Sequence, residues 1–100
     1  MTIIVTRHDA LVSYLREIGL ADEATTILSH ATVEDVRGQD VIGVLPLSLA
    51  SVTNTVTEIP LALTPEDRGQ ELSLDRVREI AGTPRTYWIQ EISNFLLTKT

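Results

Sequence analysis

The chain has no cysteine among its 100 residues, which excludes disulfides and leaves no thiolate to hold a metal or act as a nucleophile. No apolar stretch approaches the length of a membrane span, and the first residues lack the basic, apolar and small-residue order of a secretory signal. The expected address is the cytoplasm, with no membrane partner. Basic residues are in deficit: eight Lys and Arg face fourteen Asp and Glu, for a formal net charge of −6. A general DNA or RNA binder needs a broad basic footprint, so long nucleic acid is not an expected partner. No repeat, low-complexity segment or internal linker is visible. No G-x-G-x-x-G follows the first apolar run, which argues against a dinucleotide cofactor, and no cofactor or metal is expected.

With 43% hydrophobic residues the chain reads as globular, and its length suits one domain over residues 1–100 with a real but modest core. Thr2-Ile3-Ile4-Val5-Thr6 is a continuous β-branched run that ends in Arg7-His8-Asp9. Apolar on both faces, it reads as a central strand of a parallel sheet. Asp9 is placed to cap a helix running to about Ile18, with Ala10, Leu11, Tyr14, Leu15 and Ile18 on one stripe and Gly19 just past the end. Tyr14 shares that stripe, which favours core over ligand contact. Arg7 and His8 then lie at the carboxyl end of a central strand, where open α/β sheets bind ligands.

Thr25 to His30 reads as a second, more exposed strand, and His30 is more readily a polar strand-end residue than a catalytic one. Thr32 to Val36 suits a single helical turn, with Asp35 at capping-box spacing from Thr32. Glu34 and Asp35 read as solvated surface, because no third metal ligand lies nearby. Val41-Ile42-Gly43-Val44-Leu45 is the second two-sided run, in which Gly43 suggests close approach of backbone or ligand. Pro46 suits the start of a helix over about Leu47 to Asn54. Ser48 in its first turn either binds phosphate or caps, and no nucleophile elbow surrounds it. Glu58 to Leu63 reads as a fourth strand limited by Pro60, Ser73 caps a third helix with Leu74, Val77, Ile80 and Ala81 on its stripe, and Thr86 to Ile92 reads as a fifth strand. The apolar tail from Ser93 to Thr100 is expected to pack on the sheet or a second subunit. The expected fold is α/β: a Rossmann-like, mostly parallel five-stranded sheet flanked by about three helices, with strand order open.

If the central strands are parallel, one edge gathers Arg7 and His8, the segment Pro46 to Ser48, and Arg68 with Glu71. Guanidiniums offer bidentate donors for phosphate oxygens, and histidine can move a proton near neutrality. Such a set suits a phosphodiester cleaved by its own neighbouring 2′-hydroxyl, without metal. Equally, Arg68 could pair with Asp67 or Glu71 and simply pin a loop.

Three motifs in order carry a resemblance: Val5-Thr6-Arg7-His8; Gly38, Asp40, Val41, Ile42, Gly43, Leu45 and Pro46; and Arg68-Gly69-x-Glu71-Leu72. Together, over about Ile3 to Ile80, the chain resembles a family of small CRISPR-associated proteins of type III systems, grouped with the minimal CRISPR-associated Rossmann-fold (CARF-like) ring nucleases. Asp9 stands where that family commonly has proline, and Tyr14 where it has tryptophan. The resemblance implies binding and cleavage of cyclic oligoadenylate, foremost the cyclic tetra-adenylate messenger, to linear di-adenylates ending in a 2′,3′-cyclic phosphate. It implies Arg7, His8, Arg68 and Glu71 as catalytic residues. Leu45, Pro46, Ser48 and Gly69 join Arg7, His8 and Arg68 as ligand contacts. A ring of four identical nucleotides has two-fold symmetry, so two copies of a small subunit can each present half a site, and a homodimer is expected. The alternatives are a sponge that sequesters the ring uncut, and a structural subunit using Trp88 and Phe95 to Leu97.

Overall fold

The two apolar runs form adjacent strands at the centre of the sheet. In the computed structural model, which describes residues 1–92, the chain gives β1 (Thr2–Val5), α1 (Asp9–Glu17), β2 (Thr26–Leu28), α2 (Val33–Val36), β3 (Asp40–Gly43), α3 (Leu47–Ala50), β4 (Thr55–Glu58), a 3-10 turn (Pro65–Asp67), α4 (Leu74–Ile80) and β5 (Arg85–Tyr87). The sheet order is β2-β1-β3-β4-β5. All pairings are parallel except β4 with β5. The expected Rossmann-like α/β fold is therefore the observed one, with four α-helices among the described residues against the expected three or so. Among the described residues no helix is long and apolar enough to cross a membrane.

Strand alternation divides the core between two faces. Ile4 and Ile42 are register partners and pack with Leu11, Val12, Leu15, Ile59, Leu72 and Val77 under α1 and α4. Ile3, Val41 and Val56 alternate to the opposite face, where α2 and α3 bury Val36 and Ala50. This split is what right-handed crossovers require of the observed strand order. Arg78 of α4 ties the helical layer together by donating through Nε to Glu17 of α1 at 2.9 Å, which holds the Glu17 carboxyl below its usual range.

Several boundaries move, each for a local reason. Asp9 is the first residue of α1 and not its cap; His8 takes the cap position in extended geometry, without a side-chain cap bond. The helix expected over Leu47 to Asn54 stops at Ala50. There the Ser51 and Thr53 hydroxyls donate to the carbonyls of Ser48 and Ala50, at 3.0 and 2.7 Å, and compete with a further turn. The β-branched Thr55-Val56-Thr57 then forms β4, ahead of the expected Glu58–Leu63 strand. Pro60 has no N–H to donate to a ladder, and beyond it Leu61 makes only a lone antiparallel bridge to Ala81. Asp40 fastens the starts of β3 and β4, accepting from Asn54 Nδ2 at 2.7 Å and Thr55 Oγ1 at 2.8 Å; these bonds lower its pKa. The second strand is shorter than Thr25–His30, and the fifth covers Arg85–Tyr87 instead of Thr86–Ile92. The tail from 93 to 100 lies outside the described residues.

The capping box of α2 is as expected: Thr32 N donates to Asp35 Oδ2 at 2.9 Å, and Asp35 N to Thr32 Oγ1 at 3.3 Å. Thr32→Ala is expected to cost about 1 kcal/mol, read as a lower urea midpoint with an unchanged slope.

Candidate functional site

In the order β2-β1-β3-β4, the chain leaves β1 toward one side of the sheet and leaves β3 toward the other. The two departing loops open a crevice at the carboxyl edge, the place where doubly wound sheets take ligands. A cleft of about 550 Å³ lies there. Its floor is apolar, with Leu11, Ile42, Leu49 and Ile59 among the lining side chains. Its polar rim is Thr6, Arg7 and His8 after β1, and Ser29 and His30 after β2. A pocket of this size with a few convergent polar groups is what a small-molecule site requires.

The β1 end is shaped by two bonds. Thr6 N donates to Leu28 O at 2.9 Å, carrying the β1–β2 ladder one residue past the strand. His8 N donates to Thr6 Oγ1 at 3.2 Å, turning the chain into α1. Among the described residues no hydrogen bond holds the His8 imidazole, and both Arg7 and His8 are exposed. Arg7 Nη2 lies 3.1 Å from His30 Nε2. Both histidines of the chain and the arginine between the two strand ends therefore share one cleft.

His30 is the residue whose place beside Arg7 sequence reasoning did not anticipate. Its signal is the strand register: Val5 pairs with Leu28, so two residues further on Arg7 comes opposite His30. Without the register, a lone histidine at the end of a short polar strand gives no such indication.

Of the other expected site residues, Leu45 and Pro46 line the cleft, and Ser48, Arg68, Gly69 and Glu71 do not. Ser48 lies exposed in the first turn of α3, with its carbonyl taken by Ser51. Arg68, Gly69 and Glu71 lie exposed on the segment between the 3-10 turn and α4. Among the described residues neither Arg68 nor Glu71 makes a side-chain hydrogen bond or ion pair. Asp67 is not the partner of Arg68: Arg76 of α4 takes it in a two-point fork, Nε to Oδ1 at 2.9 Å and Nη2 to Oδ2 at 2.8 Å. Asp67 Oδ2 also accepts from Thr64 N at 2.8 Å. The 3-10 turn is thus pinned to α4 by Asp67, and Arg68 follows it with a guanidinium that is unpaired among the described residues.

The same fork is expected to make the loop sensitive to acid. Arg76 and the Thr64 N–H hold the Asp67 carboxyl far below the ordinary aspartate value. A group whose folded pKa is depressed contributes stability that is complete above its unfolded value, about 3.9, and is lost as pH falls further. The wild-type melting temperature is therefore expected to fall with acidification below about pH 4, and Asp67→Asn should flatten that part of the curve. An unchanged acid limb in the variant would show that the fork carries no pH linkage.

A family model described as "Putative CRISPR-associated protein (Cas_VVA1548)" matches residues 3–90 of the chain. No curated protein and no solved structure matches it.

Proposed function

The chain belongs to this CRISPR-associated family, and from that premise we propose that its carboxyl-edge cleft binds and cleaves a cyclic oligoadenylate, foremost cyclic tetra-adenylate, without a metal ion. The observation that carries the reading is the meeting of Arg7, His8 and His30 in one cleft at the topological switch point. An arginine there supplies a bidentate grip on a phosphodiester. A histidine whose ring is otherwise unengaged can deliver or remove a proton.

The chemistry is an internal displacement. The ribose 2′-oxygen attacks the adjacent phosphorus, the bond from phosphorus to the 5′-oxygen breaks, and a 2′,3′-cyclic phosphate forms on one side of the cut. The proton lost by the 2′-hydroxyl and the proton gained by the leaving 5′-oxygen balance, so no water or redox partner is consumed. In this scheme Arg7 holds the scissile phosphate and stabilises its developing charge. His8 assists proton transfer to the leaving oxygen. Leu45, Pro46 and the backbone leading into α3 form the wall on the β3 side. Arg68, Gly69 and Glu71 would close over the ring from the α4 side, with Glu71 steering Arg68 or a ribose hydroxyl. The products, linear di-adenylates, would end type III signalling.

A cleft of about 550 Å³ suits part of such a ring better than the whole, which supports two subunits sharing the ligand across a two-fold axis. An apolar surface continues from the β3 wall through Val44 and Leu47 to Tyr87 and Ile89, and Val44 and Leu47 are 77% and 74% exposed. A surface of that kind is suited to a second copy.

The deciding measurement incubates labelled cyclic tetra-adenylate with excess protein in EDTA. Di-adenylate ending in a cyclic phosphate is the expected product. Stoichiometrically bound, intact ring over hours would replace cleavage by sequestration. No binding, and no ligand-dependent rise in melting temperature, would leave the family assignment standing and remove the nucleotide from it.

A further inference from the structure

Arginine has five N–H donors and no acceptor. The 3.1 Å contact between Arg7 Nη2 and His30 Nε2 can therefore have only one sense: Arg7 donates, and Nε2 presents its lone pair. A neutral imidazole with its lone pair on Nε2 carries its proton on Nδ1. The contact joins the ends of two adjacent parallel strands, and both residues line the same cleft. Among the described residues no other side chain holds the Arg7 guanidinium. A long cationic side chain at an exposed strand end would otherwise sample many rotamers, at an entropic penalty when it engages a ligand.

We propose that His30 is a positioning residue for Arg7: held as the Nδ1–H tautomer, it fixes one edge of the guanidinium so that the remaining donors face the cleft as a fork for phosphate oxygens. The inference rests on the functional reading above for what Arg7 grips, but the tautomer and the contact stand independently of it.

Three measurements test this. In ligand-free protein with labelled histidine, the nitrogen–proton correlation spectrum at pH 8 should show His30 protonated on Nδ1 alone; the Nε2–H tautomer would overturn the proposal whatever the protein binds. Second, the dissociation constant for cyclic tetra-adenylate is measured across a double-mutant cycle of Arg7→Ala and His30→Ala. His30→Ala alone is expected to weaken binding about tenfold, the scale of one charge-assisted hydrogen bond. In the Arg7→Ala background it should change affinity little, because a residue acting through another has nothing left to act on. Equal losses in both backgrounds would make His30 an independent contact and defeat the proposal. Third, His30→Gln, whose side-chain oxygen can accept the same N–H, should recover most of the affinity lost in His30→Ala; a failure to do so in a variant melting like wild type would also count against it. If wild type neither binds nor cuts the ring, the functional reading fails while the spectrum still decides the contact.

Discussion

Gly43→Ala is expected to lower the melting temperature by about 15 °C or more, and Gly43→Val to leave no cooperative transition. Gly43 ends β3 with φ +145°, a backbone region that residues with a Cβ rarely enter. A Cβ there would land on the carbonyl oxygen of Val5 and 3.2 Å from its carbonyl carbon. Neither side can yield cheaply. Val5 and Gly43 are register partners in the two central strands, and each strand is held by a second neighbour. Backbone strain of about 1–3 kcal/mol joins an overpacking term of about 1–3 kcal/mol, against a total stability for such a domain of about 5–15 kcal/mol. Each kcal/mol moves the midpoint by about 4–8 °C at this size. Gly38→Ala is the control: φ is +70° there, but nothing lies within 4 Å of the added Cβ, so only the conformational penalty applies. Melting followed by circular dichroism checks both. Equal shifts for the two variants would show that the close approach to Val5 costs nothing. Because that approach floors the cleft between β1 and β3, the same glycine links the stability of the sheet to the shape of the site.

The central strands were legible because a strand covered on both faces must be apolar on both faces, and Thr2–Thr6 and Val41–Leu45 are the runs that qualify. The α2 capping box was legible because its two hydrogen bonds are between residues three apart. Gly43 was legible in part: its sequence announced a close approach without saying whether to backbone or to ligand, and the partner is the Val5 backbone. The fourth strand misled because hydrophobicity outweighed backbone chemistry. Ile59, Leu61 and Leu63 look more like a strand than Thr55, Thr57 and Glu58, yet Pro60 interrupts the ladder, and the more polar run beside the sheet's edge is the one that pairs. Ile59 is buried in the core all the same, so its apolar character had a cause other than strand formation.

The site was legible along the chain and illegible across it. Arg7 and His8 follow directly from one strand end, and Leu45 and Pro46 from the other. His30 needed the pairing of β1 with β2, which only three-dimensional register supplies. The Asp67–Arg76 fork likewise spans residues that no local rule joins, and it answers the alternative in which Arg68 pins the loop through Asp67: the pinning exists, and another arginine does it. What remains for Arg68 and Glu71 is the role proposed above, approach to the ligand from a segment whose base is anchored.

His8→Ala is expected to lower single-turnover cleavage of cyclic tetra-adenylate by about 10²–10⁴-fold, the scale of one positioned proton-transfer group, with little change in its dissociation constant. Affinity should survive because the phosphate grip is assigned to Arg7 and to the backbone entering α3. Stability should survive as well. The His8 imidazole makes no hydrogen bond among the described residues, and its cap position on α1 uses the backbone carbonyl, which accepts from Leu11 N at 3.1 Å and persists in alanine. The variant therefore separates chemistry from folding and binding in one chain, measured by single-turnover product analysis, a binding titration and a melt. Proportional loss of turnover and affinity would make His8 a contact. Undiminished turnover would take proton transfer away from His8. Arg7 can keep its 3.1 Å contact with His30 and grip a phosphate through its remaining N–H donors, so the two histidines of this cleft cannot be read independently of the arginine between them.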